Sequence, residues 1–140
     1  MILDTSAILA VFLKEPGYEA VLEALVAAGA VGIGAPTLAE TGIVLETRFG
    51  EHASGWLQQF AEEFRLTEIP FGALHRREAV VAYARYGEGR HDAGLNFGDC
   101  LTYAVARLAG QRLLCVGSDF SRTDLELVPV GAARRGTLPL

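Results

Sequence analysis

Short, largely apolar runs alternating with helical periods are the feature that most narrows what this chain can fold into. Met1–Asp4, Val31–Ala35, Leu66–Ile69, Leu113–Val116 and Leu127–Val130 each have the length and content of a buried strand. Between them the spacing predicts helices. The first runs through Ile8, Leu9, Phe12 and Leu13, and the second spans Tyr18 to Ala28 with Gly29 as its stop. A third is opened by Pro36 and runs to about Arg48, where Gly50 closes it. Trp56, Leu57, Phe60 and Phe64 recur at helical spacing within Glu51–Phe64, where a stripe of packing residues is expected. Phe71 to Tyr86 is a long helix ended by Gly87-Glu88-Gly89, and a loop leads from there to Leu95. Asn96 starts the last helix, which Gly110 ends. Strands apolar on both sides need cover on both sides, so the pattern predicts an α/β fold with a central parallel sheet.

Composition adds limits. A chain of 140 residues, 51% hydrophobic with mean hydropathy +0.28, can bury one sizeable core, so a single domain over 1–140 is expected. The apolar stretch from Ala27 to Ala39 is too short to span a bilayer. Met1-Ile2-Leu3-Asp4 carries no basic leader, so a cytoplasmic location and no membrane partner are expected. Cys100 and Cys115 sit among Leu and Val residues and read as buried thiols. A net charge of −5 argues against a protein that coats nucleic acid electrostatically. It leaves open an enzyme whose carboxylates gather a metal.

Four acids stand where a strand gives way to the next helix or turn, or in the first turn of a helix: Asp4, Glu40, Asp99 and Asp119. In open parallel sheets, ligands bind outside the carboxyl ends of the strands, where strand order reverses. Each acid also has a local explanation. Asp4 is a fitting N-cap, and Thr37-Leu38-Ala39-Glu40 has the form of a capping box. Asn96 would cap the helix that carries Asp99 in its first turn, and Asp119 could cap a turn. Four carboxylates aimed into one crevice would repel one another unless a cation lay among them. The donors are all oxygen, with no His or Cys at ligand spacing, which suits Mg²⁺ or Mn²⁺ and argues against zinc. The chemistry natural to such a site is phosphodiester hydrolysis.

At these residues the chain resembles the PIN-domain family and, within it, the VapC-type toxins. The matching blocks are Met-Ile-Leu-Asp4-Thr5-Ser6-Ala7, Pro36-Thr37-Leu38-Ala39-Glu40-Thr41, and Arg90-His91 with Leu95-Asn96-Phe97-Gly98-Asp99-Cys100. The fourth is Gly117-Ser118-Asp119-Phe120 with Thr123-Asp124-Leu125. They stand in family order across nearly the whole chain. The resemblance implies a three-layer α/β/α fold whose central parallel sheet has four to five strands. It implies Mg²⁺- or Mn²⁺-dependent cleavage of RNA, inhibition by a VapB-like antitoxin, and a homodimer. By motif, Asp4, Glu40, Asp99 and Asp119 match the acidic quartet, with Asp124 an alternative for the fourth place. Ser6, Asn96, Ser118 and Asp124 read as side chains that orient the carboxylates.

Arg90 and His91, in the loop before Asn96, are placed to meet RNA. Arg76 and Arg77 fit a phosphate contact and a solvated helix face equally. Rival carboxylate–magnesium proteins fit less well. A phosphatase of the haloacid-dehalogenase type would want a second Asp where Ser6 stands, and a receiver domain would want a lysine near the last strands, where the chain has none. A binding module that keeps the fold without catalysis is the non-enzymatic alternative.

Overall fold

A computed structural model describes residues 1–130 of the chain. Four strands, β1 (Ile2–Leu3), β2 (Val31–Gly34), β3 (Leu66–Ile69) and β4 (Leu113–Leu114), form one parallel sheet in the order β3-β2-β1-β4. The helices are α1 (Thr5–Phe12), α2 (Tyr18–Ala27), α3 (Ala35–Phe49), α4 (Ala53–Glu63), α5 (Ala73–Tyr86) and α6 (Phe97–Ala109). A 3₁₀ turn, Gly50–His52, separates α3 from α4.

Alternation along the strands sorts the helices into two layers. Ile2 and Leu113 face the side where α5 and α6 pack through Ala79, Ala82, Tyr86, Tyr103 and Val105. Leu3, Leu114, Val31 and Ile33 face the other side, covered by α1 to α4 through Ile8, Val21, Leu45 and Phe60. The three-layer architecture follows directly. On β2 the α6-facing positions are glycines. A Cβ at Gly34 would lie 2.8 Å from Val105 Cγ2, so α6 rests on bare backbone there.

Three expectations are corrected. Leu127–Val130 is not a fifth strand: Leu127 makes one parallel bridge to Leu113 and no ladder. β4 is only two residues long, and on its outer edge Leu113 alone pairs, accepting from Val128 N–H and donating to the Glu126 carbonyl. The Thr37–Glu40 capping box does not form. Helix α3 begins at Ala35 with Gly34 as its N-cap, so Thr37 is already inside the helix and Glu40 falls in its second turn. The aromatic stripe of α4 also divides. Phe60 packs on Phe64 and Phe12, whereas Trp56 is 44% exposed and rests edge-on against Phe49.

The strand order fixes where a site can lie. The chain moves outward from β1 to β2 to β3, then returns to place β4 on the other side of β1. The order therefore reverses between β1 and β4, and the crevice beyond their carboxyl ends is the expected ligand position.

Candidate metal centre

Asp4 leaves β1 at that crevice. Its backbone N–H reaches Leu114 O at 3.0 Å, which fixes it against β4, and its side chain caps α1. Oδ2 accepts from Ser6 N at 3.1 Å and from Ser6 Oγ at 2.6 Å. Ser6 Oγ in turn accepts from Val116 N, so one hydroxyl ties the carboxylate to the end of β4. The carboxylate is nearly buried, and Oδ1 takes part in no hydrogen bond among the described residues.

Asp99 arrives from the other layer. Asn96 caps α6 by accepting from Asp99 N at 2.9 Å, and Asn96 N donates to Asp99 Oδ2 at 3.1 Å. This reciprocal pair holds the carboxylate at the helix N-terminus. Burial pushes the Asp99 carboxyl up to about 6. The hydrogen bond from the Asn96 backbone opposes that rise, and the charges of Asp4, Asp119 and Glu40 add to it. Cys115, beneath them, feels Asp4, Asp119 and Asp99 as well, although burial is the larger cause of its raised pKa. Glu40 reaches the same place from α3: a Cβ added to Gly98 would strike its carboxylate, whose Cδ is 3.3 Å away. The glycine in α6 leaves room for the glutamate of α3.

The four acids thus act on one another, and none forms an ion pair among the described residues. No three His, Cys, Asp or Glu side chains among those residues are set close enough to share one ion directly. The electrostatic coupling and the ligand spacing therefore disagree about a closed cage. A closed cage is not required, because Mg²⁺ is commonly held through one or two carboxylates with water completing its shell. The donor set, all oxygen and without a counter-charge, fits such a cation. A cavity of about 1190 Å³ opens at the opposite, amino ends of the strands, by Met1, Gly32 and Thr67, and touches none of the acids.

Other residues singled out by sequence fall in different places. Asp124 is drawn away from the quartet. Its Oδ1 accepts from Tyr103 Oη at 2.6 Å, and Oδ2 lies 3.5 Å from both Arg85 and Arg107. The Tyr103 bond, aided by the two arginines, holds its carboxyl below the usual range. The Ser118 hydroxyl makes no hydrogen bond among the described residues; it is the Ser118 carbonyl that binds Ser121. Arg90 is exposed and lies over the Tyr83 ring, 5.4 Å from its centroid. His91 is exposed and stands edge-on to Tyr86. His91 Nδ1 accepts from Ala93 N, which leaves Nε2 as the ring's donor. Tyr86 is a core residue, whereas Tyr83 is 42% exposed. Cys100 and Cys115 are both buried free thiols. Arg134-Arg135 lies outside the described residues.

A family model described as PIN domain matches residues 1–126. The chain belongs to the PIN-domain family. Within it the chain stands with the VapC ribonucleases. Ribonuclease VapC36 of Mycobacterium tuberculosis is 46% identical over 127 residues, covering 90% of this chain and 91% of that protein. Ribonuclease VapC of Mycolicibacterium smegmatis is 41% identical over 129 residues, covering 91% of this chain and 99% of that protein. Among solved structures, M. tuberculosis VapC20, described as a sarcin-ricin-loop-cleaving toxin, superposes with a TM-score of 0.74 at 20% identity. That match covers 91% of this chain and 97% of VapC20 and bears on the fold alone. No helix among the described residues is long and apolar enough to cross a membrane.

Proposed function

We propose that this ribonuclease is the toxin of a VapBC-type toxin–antitoxin pair and cuts RNA with a Mg²⁺ or Mn²⁺ ion held by Asp4, Asp99, Glu40 and Asp119. The observation that carries the reading is the coupled set of carboxylates, without a counter-cation, at the reversal point of a parallel sheet. Asp4 and Asp99 are the principal ligands, since both are fixed by backbone donors on opposite sides of the crevice. Glu40 and Asp119 complete the site directly or through water. When bound, the ion would supply an activated water and charge stabilisation at the phosphodiester. Ser6 holds Asp4 in one orientation, and Asn96 does so for Asp99. Arg90 and Nε2 of His91 supply positive and donor groups for the RNA backbone.

The partner in this reading is a VapB-like antitoxin that lays a helix in a groove of the toxin and brings a basic side chain to the acids. The working assembly is a homodimer in the cytoplasm. The test is cleavage of a mixed, partly structured RNA with Mg²⁺, with Mn²⁺ and with EDTA, beside Asp4→Asn. Metal-dependent cutting that disappears in the variant supports the assignment. Cutting that survives in the variant would mean that Asp4 is not in the site. A wild-type chain that binds no Mn²⁺ in a titration would remove the metal centre altogether.

A further inference from the structure

Besides the buried tyrosines and cysteines, five polar or charged side chains are buried among the described residues: Asp4, Thr5, Thr37, Thr41 and Thr102. The four threonines come from three helices and meet one another. Thr41 Oγ1 lies 2.8 Å from the Thr37 carbonyl and 3.1 Å from Thr5 Oγ1, and Thr5 Oγ1 lies 3.4 Å from the same carbonyl. Thr37 Oγ1 faces Thr102 Oγ1 at 3.0 Å. Thr5 and Thr41 therefore meet at the Thr37 carbonyl, which joins α1 to α3, and the Thr37 hydroxyl meets Thr102, which joins α3 to α6.

Each threonine also lies within one helical turn of an acid. Thr5 follows Asp4, Thr41 follows Glu40, Thr37 precedes Glu40 by three residues, and Thr102 follows Asp99 by three. A core that needed only volume would be filled as well by valine, which has the same shape and no hydroxyl to satisfy. Apolar contacts also let packed helices slide by fractions of an ångström, whereas a hydrogen bond fixes distance and direction. The buried threonine hydroxyls thus lie where the helices bearing Asp4, Glu40 and Asp99 touch.

We propose that Thr5, Thr37, Thr41 and Thr102 form a positioning ladder that sets the spacing of the three helix-borne carboxylates and so tunes the cation affinity of the site. The proposal rests on the metal-centre reading above. The threonines touch neither substrate nor ion; they act through the helices that carry the ligands. Ser6 makes the matching link on the remaining side, from Asp4 to the end of β4.

The decisive variant is the double substitution Thr37→Val with Thr102→Val, which removes both partners of the α3–α6 bond and keeps their shape. Replacing both partners leaves no hydroxyl stranded, so the urea midpoint should stay near that of the wild type. Mn²⁺ affinity, measured by calorimetry on the full chain without RNA, should fall by about tenfold or more, the scale seen when groups supporting metal ligands are lost. RNA cleavage should lose kcat with little change in KM. Thr37→Ser with Thr102→Ser, which restores the hydroxyls alone, should recover Mn²⁺ binding. If the valine pair unfolds the chain, Thr102→Ala carries the same expectation, since water can enter to satisfy Thr37. Wild-type Mn²⁺ affinity in the folded valine variant would overturn the ladder while leaving the metal centre standing. A wild-type chain that binds no Mn²⁺ would overturn the metal centre, and the ladder's role with it.

Discussion

Replacing Asp99 by asparagine should stabilise the fold at neutral pH while it destroys the site. Burial and three neighbouring carboxylates raise the Asp99 carboxyl from the ordinary range to about 6. In the unfolded chain the same group titrates near 4. The folded state therefore holds its proton more tightly, and its stability falls as pH rises between those two values. Below the unfolded pKa the penalty is absent, and above about 6 it is fully present. A rise of that size corresponds to at most about 3 kcal/mol, and screening of this partly exposed group reduces that to about 1–2 kcal/mol. Asparagine keeps an oxygen to accept from Asn96 N–H, so the helix cap should survive. Urea unfolding in EDTA at pH 8 should then show the variant's midpoint higher by about 0.5–1 M, given a slope of about 2 kcal/mol/M. The gap should close as the pH is lowered to about 4. Excess Mg²⁺ should reverse the order, because the ion stabilises the wild type by binding its native state, whereas the variant has lost a principal ligand. A variant no more stable than the wild type at pH 8 in EDTA would refute the claim that burial, aided by the other acids, penalises the charged Asp99 carboxylate.

Other substitutions separate the groups around the crevice. Gly98→Ala should leave stability equal or slightly higher, since alanine favours the helix, while calorimetry shows weaker Mn²⁺ binding because the new methyl displaces the Glu40 carboxylate. Tyr103→Phe should cost about 1.5 kcal/mol by removing the 2.6 Å bond to Asp124, with Mn²⁺ affinity unchanged. A loss of metal binding in that variant would return Asp124 to the site. Burial pushes the Cys100 thiol up to about 11 and the Cys115 thiol up to about 12, so both should react slowly with a disulfide reagent at pH 8 and quickly once urea unfolds the chain. Fast reaction of the native protein would contradict their burial.

Much of the fold was legible in the sequence, because strand-like apolar runs and glycine stops are local signals. Leu66–Ile69 was readable to the residue, as was Gly110 as the C-cap of α6. The strand expected at Leu127–Val130 was not, because whether it pairs depends on how far β4 extends, and β4 is only two residues long, with Leu113 alone bridged to Leu127. Pro36 opens α3 as expected, but the capping box failed for a different reason. Thr37 and Glu40 satisfy a capping pattern, yet the Thr37 hydroxyl is drawn to Thr102 of α6, and the helix begins before it. The acids could be found by their positions after strands. That Asp124 would turn away could not, since it depends on Tyr103, Arg85 and Arg107 gathering on two helices of the far layer. The threonine ladder had no sequence signature at all: its members are separated by up to 65 positions along one hydrogen bond, and a threonine within a helix draws no notice by itself.

The local and the functional explanations of these acids are not rivals. Asp4 caps α1 and Asp99 closes the box at the start of α6, as a purely structural reading expects. In both, the side-chain bonds among the described residues fall on Oδ2 alone. A capping carboxylate is held by backbone donors, so its second oxygen faces a fixed direction without any further support. Two helices that start on either side of a strand-order reversal bring both caps to the same crevice. Capping also places each negative charge at the positive end of a helix dipole, which offsets part of the repulsion between neighbours. The raised Asp99 carboxyl reflects burial first and the remaining repulsion second, and a cation would relieve that repulsion. The capping geometry is thus the means by which this sheet assembles a ligand set, and a variant that breaks the cap should weaken the metal site before it weakens the fold. Asn96→Ala tests this: loss of the cap should cost about 1 kcal/mol of stability. Mn²⁺ affinity should drop further than that loss alone would explain, because losing the bond from Asp99 N–H to the Asn96 side chain loosens the first turn that carries Asp99, although the backbone N–H that holds Oδ2 remains. Unchanged affinity in Asn96→Ala would separate capping from ligand placement.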